Sequence, residues 1–185
     1  MPLTPSAPRT PIHTRRIECQ AFVRDDGLWD IEAHMTDVKA HAHQRRDGGR
    51  MREAGEPIHE MRMRLTIDLD FVIHDCEAVT EAGPYAGCGQ ITPNFKALVG
   101  VQIGPGWRRK TLELLGGTRG CTHLVELLAP MATTAYQATG RARAERDKQQ
   151  PSHKKPYQID SCHIYNSDGP AVLERWPDWY TGPAR

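Results

Sequence analysis

The sequence predicts an α+β domain: an antiparallel sheet built from two hairpins plus a late strand, packed on one face by three helices. Three observations carry this. Two stretches alternate apolar and polar residues on either side of tight turns, as half-buried strands do. A later stretch, Gly116 to Gln137, spaces Leu124, Leu127, Leu128, Met131 and Ala135 by threes and fours, as a helix laid on a core requires. Glycines and prolines bracket the shorter helical segments.

In chain order, residues 1–12 hold four prolines and read as an extended arm. Arg16 to Val23 leads to Asp25-Asp26-Gly27, and Leu28 to Val38 follows, which is a hairpin with Trp29, Ile31, Ala33 and Met35 on one face. Residues 39–57 are polar and broken by glycines, hence a loop, carrying His41 and His43 as solvated side chains or a weak metal pair. Met61, Met63, Leu65 and Ile67 alternate with Arg62, Arg64, Thr66 and Asp68, and after a turn the chain continues from Phe71 towards Thr80 as the second hairpin.

Residues 81–93 read as a structured loop, and Asn94 as the cap of a short helix through Leu98. A helix over 106–115 points Leu112 and Leu115 inwards and stops at Gly116-Gly117. The main helix over 120–140 contains Pro130, which is expected to kink it. Residues 141–156 are charged and form a linker or a frayed helix end. Tyr157 to Tyr165 alternates as the late strand, and the closing Trp176, Trp179 and Tyr180 pin the tail to the core or to a neighbouring subunit. The core domain is thus 13–140, with 157–185 as a C-terminal strand and aromatic tail.

Composition narrows the function classes. A formal charge of +1 over 185 residues gives no global field to attract nucleic acid. No apolar run approaches a membrane span. The N-terminal segment lacks the apolar stretch of a secretory signal, which leads to the expectation of a cytoplasmic protein. Five scattered cysteines argue for reduced thiols rather than a disulfide framework.

Chemistry is expected where Cys121 and His123 sit at the mouth of the main helix, because first-turn N–H groups lack internal partners and favour anions and thiolates. An acid–base set of His59, Glu60, Tyr85 and His123, with His34 and Asp37 as further members, suits proton transfer near neutral pH. Against it stand the bland readings: His123 as a surface partner of Glu126, and His59 as an exposed strand end. Cys121 activated by His123 is disfavoured, because two residues apart on a helix point in different directions. His59, Cys88, Cys121 and His123 could instead hold zinc, although no C-x-x-C or H-x-x-x-H spacing is present and both cysteines could pack as small hydrophobes.

The blocks HTRRIEC, DDGLWDIEAHMTD, GEPIHEMRMRLTID, Pro84-Tyr85 with Cys88 and Pro93-Asn94-Phe95, GCTHLVELL and WPDWY resemble an uncharacterised bacterial family catalogued as a domain of unknown function. The likeness runs over nearly the whole chain. The resemblance implies a link to bacterial degradation of aromatic compounds and to a lyase that releases formaldehyde from phenylcoumaran-type lignin dimers. On that reading the enzyme needs no cofactor. His59 or Glu60 is the base, His123 and Tyr85 are donors, and Cys88, Cys121, Trp107 and Met61 line a site for an aromatic small molecule. The polar faces and terminal aromatics suggest a homo-oligomer.

The order of hairpin strands, a cysteine loop (Gly87-Cys88-Gly89), helices and Cys121 at a helix start also resembles the iron–sulfur scaffold fold of the IscU/NifU type. This implies an alternative function as a zinc- or iron–sulfur-cluster-binding scaffold. The scaffold's first cysteine and following aspartate fall where this chain has Ile58-His59-Glu60-Met61, which bears on cluster assembly and not on topology.

Overall fold

A computed structural model describes residues 3–45, 47–149 and 155–183. The chain divides into two compact units, Met1–Arg143 and Ala144–Arg185. In the first, four strands, β1 (His13–Val23), β2 (Trp29–Lys39), β3 (Pro57–Ile67) and β4 (Ile73–Ala82), form an antiparallel sheet in the order β1-β2-β3-β4. A 3-10 segment, Cys88–Leu98, then leads to helices α1 (Trp107–Leu115) and α2 (Thr122–Ala138), and α3 (Gly140–Gln149) runs across the boundary between the units. The sheet and the helices bear out the α+β class.

The alternation in the sequence sets the sheet register. The β1–β2 turn closes where Gly27 takes φ 85° and Asp26 Oδ1 accepts the Leu28 N–H, as an Asp-Gly turn is built to do. From there the partners follow without a bulge, Ala21 beside Ile31, Cys19 beside Ala33, Ile17 beside Met35 and Arg15 beside Asp37. On β3 the matching residues are Leu65, Met63, Met61 and His59. One face therefore carries rungs of apolar side chains ending in a single polar rung, Arg15-Asp37-His59. The opposite face carries Glu32, His34, Arg62, Arg64 and Glu77, where Arg64 pairs across strands with Glu32 and Glu77 and Arg62 with Glu81.

The apolar rungs pack under α2, whose Leu124, Leu127, Leu128, Met131 and Ala135 are all buried. Burying each such side chain contributes about 1.5–3 kcal/mol before entropy is counted. Phe95 and Leu98 close the β4 end. α2 continues through Pro130, which removes only the donor that the Glu126 carbonyl would have received.

Four local expectations are corrected. Residues 157–165 form turns and a 3-10 segment (His163–Tyr165) rather than a late strand. Asp160 takes φ 66° there, its N–H donates to Tyr165 O, and its Oδ1 accepts the Ser167 N–H, so the segment bonds to itself. Helical structure starts at Cys88 rather than Asn94. Asn94 is not a cap; its side chain donates to Arg119 O at 3.0 Å and ties the segment to the loop before α2. Leu112 is 47% exposed, because α1 presents Trp107, Thr111 and Leu115, spaced by four, to the core. In the second unit, α4 (Pro170–Arg175) and the 3-10 turn Pro177–Trp179 hold the terminal aromatics, with Trp176 edge-on to Tyr165. The expected linker lies partly outside the described residues, at 150–154.

Candidate active site

The polar rung at the end of the core face is where the sheet meets the start of α2. Asp37 is 1% exposed and fully engaged. Its Oδ1 accepts from Arg15 Nε (2.8 Å) and His13 Nε2 (3.0 Å), and its Oδ2 accepts from Arg15 Nη2 (2.7 Å) and His59 Nδ1 (3.1 Å). Those bonds use the roughly four lone-pair positions a carboxylate offers. Burial would raise its pKa, but the bonds from Arg15 and His13, with the charges of Arg15 and His59, outweigh burial and bring it to about 2.

An ionised carboxylate only accepts, so His59 must carry its hydrogen on Nδ1. The neutral ring then holds its lone pair on Nε2. Burial, and next the neighbouring His123, push the His59 pKa below the ordinary imidazole range, with Asp37 opposing. His123 is lowered as well, first by burial and then by the Arg15 charge. The His59 and His123 rings lie face to face, centroids 3.8 Å apart and planes inclined by 31°. Arg15 also pairs with Glu126, so this guanidinium joins β1, β2 and α2.

Cys121 is the N-cap of α2, with extended φ −107° and ψ 127°, and no side chain caps the helix start. Being outside the helical turn, it swings its Sγ to 3.9 Å from His123 Nδ1. The expected misalignment of Cys121 and His123 assumed that both were helical, and is corrected by this backbone. The first-turn N–H groups of α2, which include that of His123, have no side-chain cap and carry partial positive charge.

A family described as Protein of unknown function (DUF2889) matches residues 13–137. The chain belongs to this family. The DUF2889 segment begins at His13, the first residue of the Asp37 shell, and contains every residue of the site through Glu126. No curated protein and no solved structure matches the chain.

Of the predicted site residues, His59, His123 and Cys121 come together, and Met61 lies one rung behind His59, 1% exposed. Glu60 points to the opposite face, where its carboxylate is 3.0 Å from His34 Nε2. Successive residues of a strand alternate, so His59 and Glu60 cannot share a pocket. Tyr85, 50% exposed, and Cys88 line a separate cleft of about 440 Å3 with Glu60, Arg52 and Gly83. Trp107 locks α1 to α2 by donating Nε1–H to Leu128 O at 3.0 Å.

Among the described residues, the ligand-type atoms of Asp37, His59 and His123 lie within 4.8 Å of one another, as do those of His34, Glu60 and Glu81. Neither group contains a cysteine, so the expected ligand set of His59, Cys88, Cys121 and His123 is not assembled. Arg15 and His13 fall outside the predicted site residues because charged strand-end residues ordinarily face solvent. The available signal was parity: Arg15 lies two and four residues before Ile17 and Cys19, on the core face.

Proposed function

We propose that the protein is a cofactor-independent carbon–carbon lyase that acts by acid–base catalysis on a lignin-derived phenylcoumaran dimer. The observation that carries the acid–base reading is the Asp37–His59 pair. A buried, fully ionised carboxylate fixes the tautomer of a neutral imidazole and leaves Nε2 as the base, directly beside His123. The substrate class rests on the sequence resemblance.

In this reaction His59 Nε2 takes the proton of the primary γ-hydroxyl. The Cγ–O bond becomes the carbonyl of formaldehyde as Cβ–Cγ breaks. The released pair forms the Cα=Cβ alkene, and the Cα–O ether bond breaks to give a phenoxide. His123 and the uncapped start of α2 stabilise that oxygen. His123 gives its N–H proton to the phenoxide as it leaves, yielding a stilbene phenol, and the proton held by His59 returns to His123 through solvent to close the cycle. The step is redox-neutral and consumes no co-reactant. Asp37 compensates the imidazolium that forms transiently on His59. The acid role falls to His123 rather than Tyr85, and the base role to His59 rather than Glu60, because only those two share the site.

A second reading, a divalent metal on Asp37, His59 and His123, is favoured by the closeness of their ligand atoms. It requires Asp37 to release one of its present donors and places a cation next to Arg15. The deciding experiment incubates purified protein with several phenylcoumaran dimers and assays formaldehyde and stilbene, with zinc and iron measured on the same sample. Formaldehyde release that survives Tyr85→Phe and is lost in His59→Gln supports the proposal. No product from any dimer rejects the substrate class, and stoichiometric metal lost on His59→Gln replaces the acid–base reading.

A further inference from the structure

Strand β1 is the sheet's outer edge and, among the described residues, has β2 as its only strand neighbour. It is eleven residues long, contains no proline and pairs with β2 without a bulge. Long, regular edges of this kind are normally shortened, bulged or covered. Much of β1 is exposed, including Ile17, Phe22 and Val23. The opposite edge differs, since Ile73 of β4 exchanges backbone bonds with Gly100 and Val101.

The parity of the edge follows from the two bonds that bracket the hairpin. Ala40 N–H donates to Ile12 O, and Arg24 N–H donates to Leu28 O. Both pairs continue the register in which Arg16 faces Thr36. Hydrogen-bonded pairs alternate along an antiparallel ladder, so even-numbered residues of β1 bond to β2. The backbone groups of His13, Arg15, Ile17, Cys19 and Ala21 therefore point outwards and find no strand partner among the described residues.

We propose that this edge pairs antiparallel with β1 of a second copy, about a two-fold axis at Ile17, joining two four-stranded sheets into one. In that register Ile17 faces the second copy's Ile17, and Arg15 faces Cys19, so outward-pointing groups meet outward-pointing groups. Arg16 then stands opposite Glu18, twice by symmetry, on the polar face. Moving the axis by one residue sets Arg16 against Arg16 or Glu18 against Glu18. The charges thus select one register, as cross-strand pairs do within a sheet. Among the described residues Arg16 has no ion-pair partner and Glu18 accepts only from Gln20. The isologous contact uses one self-complementary segment, as two-fold symmetry demands. Because Arg15 belongs to the Asp37 shell, each copy's site borders the seam.

Sedimentation velocity on the full chain tests this, with circular dichroism to check folding. The wild type is expected to sediment as a dimer at micromolar concentration. Arg16→Glu should weaken the dimer about 10- to 100-fold by turning two attractions into two repulsions, and the charge swap Arg16→Glu/Glu18→Arg should restore it. Ile17→Pro provides a second probe: Ile17 N–H points away from β2, so the strand should remain folded while the dimer is lost. A monomeric wild type, a dimer indifferent to Arg16→Glu, or a charge swap that fails to restore dimerisation each overturns the proposal.

Discussion

His59 Nδ1 lies 3.1 Å from Asp37 Oδ2, and the two residues are direct cross-strand partners on β2 and β3. Their orientation is thus set by the sheet register itself, one rung beyond Met35 and Met61. Replacing Asp37 by Asn keeps the shape but offers one acceptor oxygen to donors that now share two, and it removes the reason for Nδ1 to hold the hydrogen. Asp37→Asn is expected to lower kcat for formaldehyde release by about 10²- to 10⁴-fold, the usual contribution of a positioned acid–base group, with KM changed far less. Steady-state kinetics on a phenylcoumaran dimer checks this; an unchanged kcat removes Asp37 from the mechanism.

The same carboxylate makes stability depend on acid pH. Its folded pKa of about 2 lies below the ordinary 3.8, so the folded state binds that proton less readily than the unfolded chain. The resulting stabilisation is complete above about pH 4 and is lost as pH falls towards 2. Its size should be about 1–2 kcal/mol, allowing for screening by water around Arg15 and His13. Urea midpoints of the wild type and Asp37→Asn should therefore converge between pH 4 and 2. A gap that stays constant over that interval contradicts the assignment.

His59 and His123 should shape the rate profile. Burial and the His123 ring hold the His59 pKa below the free imidazole value, so His59 remains neutral at pH values where an ordinary histidine is charged. The acid limb of kcat/KM is expected below pH 6.5. His123→Ala removes the second cause and part of the first, and both changes raise the pKa. The acid limb should consequently move to higher pH in His123→Ala, along with a lower kcat from loss of the donor. A limb that moves down, or one that does not move, shows that a different group titrates.

Arg15 separates a buried ionic contact from an exposed one. It donates twice to Asp37, which is 1% exposed, and once to Glu126, which is 48% exposed. Arg15→Gln leaves a buried carboxylate short of charged donors and should cost about 2–3 kcal/mol. Glu126→Gln removes only the solvated partner and should cost less than about 1 kcal/mol. Denaturant unfolding of both variants at pH 7 makes the comparison, and equal losses would mean that Arg15 acts mainly by tying β1 to α2.

The hairpins and the buried face of α2 were legible in the sequence because period 2 and period 3.6 are properties of the residues themselves. Which rung each residue joins was not, since it depends on where the Asp25-Asp26-Gly27 turn closes. Arg15, Asp37 and His59 are separated by 22 residues at each step, and only the register brings them together. The choice between His59 and Glu60 was available from alternation alone, because Met61 and Met63 assign odd positions of β3 to the core. Residues 157–165 misled for the opposite reason: their alternation is real, but the left-handed Asp160 turns the chain back on itself. The meeting of Cys121 with His123 depended on an extended N-cap, which residue identity does not specify.

Gly120 offers the last test, linking the backbone before α2 to the chemistry. A Cβ built at this position would lie 2.3 Å from Leu115 O and 3.1 Å from Leu115 Cβ. The carbonyl belongs to the end of α1, which Trp107 and the buried Leu115 hold in place, so it cannot move aside cheaply. The strain must pass instead to the next residues, Cys121 and Thr122, where α2 begins. Gly120→Ala should cost about 1–3 kcal/mol by overpacking and should also displace His123 from His59. The predicted signature is a loss of kcat larger than the loss of stability explains, measured at a temperature where the variant is fully folded. Gly117→Ala serves as the control: its Cβ meets nothing within 4 Å, although its φ of 62° carries a backbone penalty. Gly117→Ala should therefore lower stability without the disproportionate loss of kcat, and equal kinetic effects at the two glycines would disconnect the α1–α2 junction from the site.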